Sequence, residues 1–145
     1  MPNIRLYPDN AADRATLSAP DLPAFQSTAL GADDRALWRL PPDLGRRYAG
    51  VSGDANPIHL SPLTSRLFGF PRPIIHGMWT HARALAQLDA RLPDAYRVQV
   101  RFTRPIMLPA AVTFAAETAD APWFVVRSRE GRAHLIGRVS EPDAA

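Results

Sequence analysis

Residues 77–92 constrain the fold more than any other part of the chain. Apolar side chains recur there every three or four residues, and a narrower polar stripe follows the same spacing. The apolar set is Met78, Ala82, Leu85, Leu88 and Leu92, and the polar set is Thr80, Arg83, Gln87 and Arg91. This period predicts one long helix, and its apolar character predicts that the helix is largely enclosed.

Four segments after this helix are predicted to be strands: residues 96–102, 111–118, 123–129 and 133–139. In the first of them, Arg97, Gln99 and Arg101 alternate with Val98, Val100 and Phe102, which is the period of a strand with one buried face. Glu130-Gly131 is typical of a β-hairpin turn. One long helix followed by antiparallel strands indicates the α+β class, with the sheet wrapped around the helix.

The first 44 residues show no sustained period and carry six of the 15 prolines. Residues 24–30 and 36–40 are each predicted to be a short strand. A short helix is expected after Pro41-Pro42 to about residue 51, and another between Ser61, its N-cap, and Gly69. We expect residues 1–35 to form an N-terminal arm of uncertain structure and residues 36–145 to form one domain.

Composition excludes several kinds of chemistry. The 145 residues include no cysteine, and all 17 basic residues are arginine, so thiol and lysine nucleophiles are excluded. The net charge is +3, but the arginines are scattered without interleaved aromatics, so we expect no nucleic-acid partner. We also expect no membrane span, because no apolar run is long enough, and a cytoplasmic location, because no signal-peptide pattern is present.

Residues 48–78 hold most of the chemistry-bearing side chains. Asp54 and His59 flank a segment in which Gly53 and Pro57 favour a turn over a helix. Such a bend directs a carboxylate and an imidazole towards one point, where they can hold a water and move its proton. Gly77 begins the predicted long helix, whose N-terminal N–H groups favour negative charge.

Each of these residues also has a purely structural interpretation. Asp54 after a glycine commonly closes an Asx-turn, and Ser52 and Asn56 are expected to hold the bend through side-chain to backbone hydrogen bonds. His76 is expected to be a donor that locks the helix start. We expect no metal site, because His76 and His81 are five residues apart on different sides of a helix without a suitably spaced carboxylate.

The order of these motifs resembles the signature of the MaoC-like hydratases, the (R)-specific enoyl-CoA hydratases of the hot-dog fold. The matching residues are Tyr48-Ala49, Ser52-Gly53-Asp54, Asn56-Pro57-Ile58-His59, Phe70-Pro71-Arg72-Pro73 and Ile75-His76-Gly77-Met78. The resemblance covers about residues 36–140. Leu85 stands where some members have a serine, a difference that bears on the acyl pocket. Family chains often contain two hot-dog units, so the N-terminal arm is open to interpretation as the remnant of a first unit.

This resemblance implies an antiparallel sheet wrapped around one long central helix, and a hydro-lyase. Asp54 and His59 would hold the attacking water, and the Gly77 amide would stabilise the thioester oxygen. The implied reaction is reversible addition of water to a trans-2-enoyl thioester of coenzyme A or acyl carrier protein. Coenzyme A enters only as part of the substrate, no cofactor is expected, and the implied assembly is a homodimer.

Two alternatives remain open from the sequence. A hot-dog thioesterase handles the same substrates, but its acid sits on the central helix, where Gln87 and Asp89 lie far from the N-terminus. A non-catalytic thioester-binding or pairing subunit would suit a chain that has lost a first unit. The presence of both Asp54 and His59 favours an enzyme over this second alternative.

Overall fold

The computed structural model describes residues 35–117 and 122–142, so the predicted strand 24–30 lies outside the described residues. The strands are β1 (Arg35–Leu40), β2 (Arg97–Phe102), β3 (Ala110–Ala116), β4 (Trp123–Arg127) and β5 (Ala133–Ser140). The α-helices are α1 (Leu44–Ser52), α2 (Pro62–Leu67) and α3 (Gly77–Leu88), and 3-10 turns cover Pro57–His59 and Asp89–Arg91. The predicted elements within these ranges are therefore present, with ends shifted by a few residues.

The five strands form one antiparallel sheet in the order β1-β3-β4-β5-β2. The β4–β5 hairpin turns at Gly131, as predicted, with φ of +83°. There the Gly131 N–H donates to the Ser128 carbonyl at 3.0 Å. β2 lies at one edge and pairs with β5 so that Phe102 is opposite Leu135. This pairing brings the end of β2 beside His134, whose carbonyl accepts from the Thr103 N–H at 2.9 Å.

Helix α3 packs its buried side against one face of the sheet. Ala84 and Leu88 belong to the same buried cluster as Phe114, Phe124 and Val126. Phe124 and Val126 are fully buried, and alternate residues of β4 face the helix because strand side chains alternate between the two faces. The predicted α+β arrangement of a sheet around a central helix is confirmed.

The orientation of α3 differs from the prediction. Thr80, assigned to the polar stripe, is 3% exposed, whereas Met78, assigned to the apolar stripe, is 43% exposed. Ala82 is exposed as well. The helix is therefore not enclosed in the single chain, because its sheet-facing side runs through Thr80, Ala84 and Leu88. Phe102, predicted to be buried on β2, is 49% exposed.

Residues 74–76 form a connector that positions the start of α3. The Ile74 N–H donates to the Ile58 carbonyl at 3.0 Å, and the Ile75 N–H donates to the Ile106 carbonyl at 3.0 Å. The connector is thus held between the 3-10 turn at residues 57–59 and the segment after β2.

Among the described residues, no helix combines the length and the apolar character needed to cross a bilayer.

Candidate active site

The bend between α1 and the first 3-10 turn is built from side-chain to backbone hydrogen bonds between residues two apart in sequence. Gly53 ends α1 with φ of +77°, a conformation that favours glycine. Ser52 Oγ accepts from the Asp54 N–H at 3.2 Å, and Asn56 Oδ1 accepts from the Ile58 N–H at 3.3 Å. Both bonds are of the side-chain to backbone kind expected of Ser52 and Asn56. Pro57 opens the 3-10 turn.

This bend brings Asp54 and His59 together. Asp54 Oδ2 lies 3.9 Å from His59 Nε2, while its other oxygen, Oδ1, accepts from the Asn56 N–H at 3.1 Å. The 3.9 Å separation is too long for a direct hydrogen bond but can be spanned by one water bonded to both groups. Asp54 has 55% of its side chain exposed, whereas 9% of the His59 side chain is exposed.

The hydrogen bonds of His59 fix its tautomer. Nδ1–H donates to the Ile74 carbonyl at 2.6 Å, because a carbonyl can only accept. Nε2 is therefore the acceptor nitrogen, and it is the atom that faces Asp54. Burial lowers the pKa of His59 below its usual 6.5, and the neighbouring His76 adds to this, while the bond to Ile74 and the Asp54 charge oppose it. A neutral imidazole with a directed lone pair is suited to accept a proton.

His76 packs directly behind this pair. Its Nε2–H donates to the Asp54 carbonyl at 2.8 Å, and its ring stacks on that of His59 with centroids 3.6 Å apart. Tyr48 contacts the His76 ring edge-on at 4.8 Å. His76 is also the N-cap residue of α3, although its side chain makes no cap hydrogen bond. Its hydrogen bond connects the Asp54 backbone to the start of α3.

The structure places a carboxylate and two imidazoles closer together than the sequence suggested. Asp54, His59 and His76 each offer an atom that can bind a metal, within 4.8 Å of one another. However, His76 Nε2 already donates to the Asp54 carbonyl, and the remaining nitrogen, Nδ1, is buried. A cation would have to displace that hydrogen bond to gain its third ligand, so the present arrangement fits a bound water better than a metal.

Gly77 is the first residue of α3, and its N–H is one of the helix's initial donors without an intrahelical acceptor. A β-carbon added at Gly77 would lie 2.9 Å from Cε1 of Phe102, so the aromatic ring packs directly on the glycine. The absence of a side chain therefore leaves room for Phe102 beside the helix N-terminus. The partial positive charge at this end favours an oxygen that gains negative charge.

A cavity of about 310 Å³ joins these features. His59 and Gly77 line it, whereas Asp54 is not among the lining residues. The other lining residues are Ile74, Ile75, Thr80, Phe102, Thr103, Arg104, Pro105, Ile106 and His134. Its volume is at the lower end of the range for small-molecule sites.

Sequence reasoning missed the lining contributed by Thr80, the segment 102–106 and His134. Thr80 lies three residues after Gly77, a helical spacing that places both on one face and was the available signal. No local signal marks His134, because only the pairing of β2 with β5 brings it to the cavity.

Comparison with known proteins gives matches over most of the chain. The family model described as the MaoC like domain matches residues 24–136. The chain is 41% identical over 128 residues to 3-hydroxyacyl-thioester dehydratase X of Mycobacterium tuberculosis, covering 87% of this chain and 46% of that protein. It thus spans about half the length of this relative.

Solved structures that resemble this chain include the following two. HtdX of Mycobacterium tuberculosis superimposes with a TM-score of 0.70 at 43% identity, covering 74% of this chain and 47% of that one. An (R)-hydratase from A. caviae involved in PHA biosynthesis gives a TM-score of 0.61 at 25% identity, covering 81% of this chain and 99% of that one. The second structure is thus matched along nearly its whole length.

Proposed function

The chain belongs to the MaoC-like domain family, with the hot-dog fold that its sequence predicts, and we propose that it is a hydro-lyase acting on acyl thioesters. In this proposal it adds water reversibly to a trans-2-enoyl thioester and forms the 3-hydroxyacyl thioester. The observation that carries the proposal is the 3.9 Å approach of Asp54 Oδ2 to His59 Nε2 next to a cavity that also exposes the start of α3 at Gly77.

The proposed mechanism uses a water held between Asp54 and His59. The neutral His59 Nε2 and the Asp54 carboxylate accept the proton of this water as its oxygen bonds to the β-carbon. Electrons of the carbon–carbon double bond move towards the thioester carbonyl, whose oxygen gains negative charge. The Gly77 N–H stabilises that oxygen, and the proton taken up by the pair returns to the α-carbon.

This chemistry transfers no electrons to or from the enzyme, and we propose that it needs neither a metal nor a redox cofactor. Coenzyme A or acyl carrier protein supplies only the thioester. Because Asp54, His59 and His76 lie within 4.8 Å of one another, incubation with EDTA is the direct control. Unchanged activity is expected, and loss of activity restored by a divalent cation would overturn this part of the proposal.

We propose a homodimer as the working form. The support is the half-exposed apolar surface of the single chain, which includes Met78 on α3 and Phe102 at the sheet edge. Light scattering coupled to gel filtration is expected to give twice the chain mass of 15.9 kDa.

We also propose a cytoplasmic location, since the proposed substrates are water-soluble thioesters.

A spectrophotometric assay with crotonyl-CoA tests the activity. The enoyl absorbance is expected to fall with wild type, and Asp54→Asn or His59→Asn is expected to lower kcat about 1,000-fold, because both residues handle the proton. Asparagine at position 59 can still donate to the Ile74 carbonyl, so the loss reports on Nε2. Asp43→Asn is the matched control, since Asp43 has a similarly exposed carboxylate (49%) outside the site.

The other outcomes identify the alternatives. Release of free coenzyme A without hydration would indicate a thioesterase. Binding of crotonyl-CoA without turnover would indicate a non-catalytic subunit. Wild-type activity in both site variants would remove Asp54 and His59 from the mechanism.

A further inference from the structure

His134 lines the same cavity as His59 and Gly77 but has no part in the proposed proton transfers. It lies on β5, the neighbour of the edge strand β2, and is remote in sequence from the Asp54–His59 bend. A second imidazole in so small a cavity requires an explanation, since hydration itself uses only one.

The segment after β2 holds His134 in one tautomer. Thr103 N–H donates to the His134 carbonyl at 2.9 Å, and Thr103 Oγ1 donates to the Ala133 carbonyl at 2.6 Å. The His134 ring returns a hydrogen bond, because its Nδ1–H donates to the Arg104 carbonyl at 3.3 Å. With the proton on Nδ1, the second ring nitrogen, Nε2, is an acceptor.

The charge state of the ring agrees with an acceptor role. Burial lowers the pKa of His134, and the nearby Arg104 charge lowers it further, while backbone hydrogen bonds and Glu130 act in the opposite direction. The imidazole is therefore neutral at pH 7. Two other polar side chains line this wall: Arg104 carries only donors, and the Thr103 hydroxyl already donates to the Ala133 carbonyl.

The size of a pantetheine thioester fits the cavity that Gly77 and His134 both line. With the carbonyl oxygen at Gly77, the sulfur is followed by a two-carbon spacer of about 4 Å and then by the first amide of the pantetheine arm. That amide has an N–H to donate, and a cavity of about 310 Å³ is large enough to contain the thioester and this first amide together. Coenzyme A and acyl carrier protein share this amide, so the contact would serve either carrier.

We infer that His134 is a specificity-determining residue whose Nε2 accepts a hydrogen bond from the first amide N–H of the pantetheine arm. The inference rests on the proposed function and adds recognition of the thiol side of the substrate. His134 is then a positioning residue that orients the thioester towards Gly77.

Two small substrates isolate this hydrogen bond. Crotonyl-N-acetylcysteamine carries the amide N–H, and the crotonyl thioester of 2-acetoxyethanethiol replaces it with an ester oxygen. Wild type is expected to prefer the amide in kcat/KM by about fivefold to tenfold, the usual worth of one neutral hydrogen bond. His134→Asn keeps a donor for the Arg104 carbonyl but removes the Nε2 acceptor. Its amide-to-ester ratio of kcat/KM is therefore expected to fall to about one.

If His134 has a purely structural role, His134→Asn lowers kcat/KM for both substrates equally and leaves the amide-to-ester ratio unchanged. That result would overturn the inference. Arg132→Gln on the same hairpin is the control and is expected to keep the wild-type ratio. A ratio that collapses in Thr80→Val instead of His134→Asn would assign the contact to the other polar wall and overturn the inference. Hydration of both substrates with no wild-type preference rejects only this inference, whereas failure to hydrate these two substrates and crotonyl-CoA rejects the proposed function as well.

Discussion

Residues 52–59 and the interior of the sheet are held together by different forces. Asp54 and Asn56 are exposed, and their positions depend on local side-chain to backbone hydrogen bonds. Phe124 and Val126 on β4 are fully buried among apolar side chains. A net hydrogen bond at an exposed site contributes little to stability, whereas a buried aromatic ring contributes several kcal/mol. Stability and activity should therefore be separable by substitution in these two regions.

The largest effect on stability is expected from Gly137→Ala on β5. The added β-carbon would lie 2.0 Å from Cζ of Phe124, whose ring is fully buried. We expect the free energy of unfolding to fall by about 3 kcal/mol because the ring has to move within a packed core. Urea unfolding measures this loss, and hydration per folded molecule should stay within about twofold of wild type.

Two further variants sharpen that result. Phe124→Leu combined with Gly137→Ala is expected to recover part of the lost stability, because the smaller side chain makes room for the new methyl group. Gly50→Ala on α1 has no heavy atom within 4 Å of its added β-carbon and should stabilise the helix slightly. A Gly137→Ala protein as stable as wild type would contradict the packing of this face.

The parts of the fold predicted from sequence depend on neighbours in the chain. Ser61 as an N-cap, Gly131 in the hairpin turn and the bend from Asp54 to His59 are each set within a few residues, so local residue types suffice. The functional roles of Asp54, His59 and Gly77 stay predictions, although His59 and Gly77 line one cavity and Asp54 lies beside His59.

The wrong predictions concern residues whose surroundings come from distant strands. The period of α3 located the helix, but its rotation is set by packing of Ala84 and Leu88 on the sheet, which left Met78 half-exposed and Thr80 buried. His134 reaches the cavity only because β2 pairs with β5. Sequence period alone contains no information on that register.

Gly45→Ala tests the boundary between the two regions. Gly45 is the buried residue of α1, and an added β-carbon would lie 2.1 Å from the backbone oxygen of His59. Since backbone atoms cannot rotate away, the 3-10 turn has to shift. We expect a loss of about 2 kcal/mol in unfolding free energy and about 100-fold in kcat, because a displacement near 1 Å misplaces the proton-transfer groups.

Gly50→Ala again serves as the matched control, since it lies on the same helix without such a contact. Thermal unfolding and the crotonyl-CoA assay measure the two effects on one preparation. Wild-type kcat in Gly45→Ala would show that α1 does not position His59.

The smallest effect expected is the acid dependence of stability. Burial lowers the pKa of His81 on α3, as it does for His59 and His134. Below about pH 6.5 the unfolded chain therefore binds protons that the folded chain does not, so the free energy of unfolding decreases as the pH falls through this range. Stability is fully present above pH 6.5 and is lost towards the lowered folded-state pKa values.

His81→Gln separates the two regions in one titration. We expect the unfolding midpoint of wild type to fall by a few degrees between pH 7 and pH 5, and the variant to show a smaller fall, because one of the three groups no longer titrates. The acid limb of kcat/KM should be the same in both proteins, since it follows the protonation of His59 and not of His81. If the acid limb of kcat/KM moves in His81→Gln, the titration of α3 and that of the Asp54–His59 bend are coupled. Stability and activity would then not be separable by substitution in the two regions.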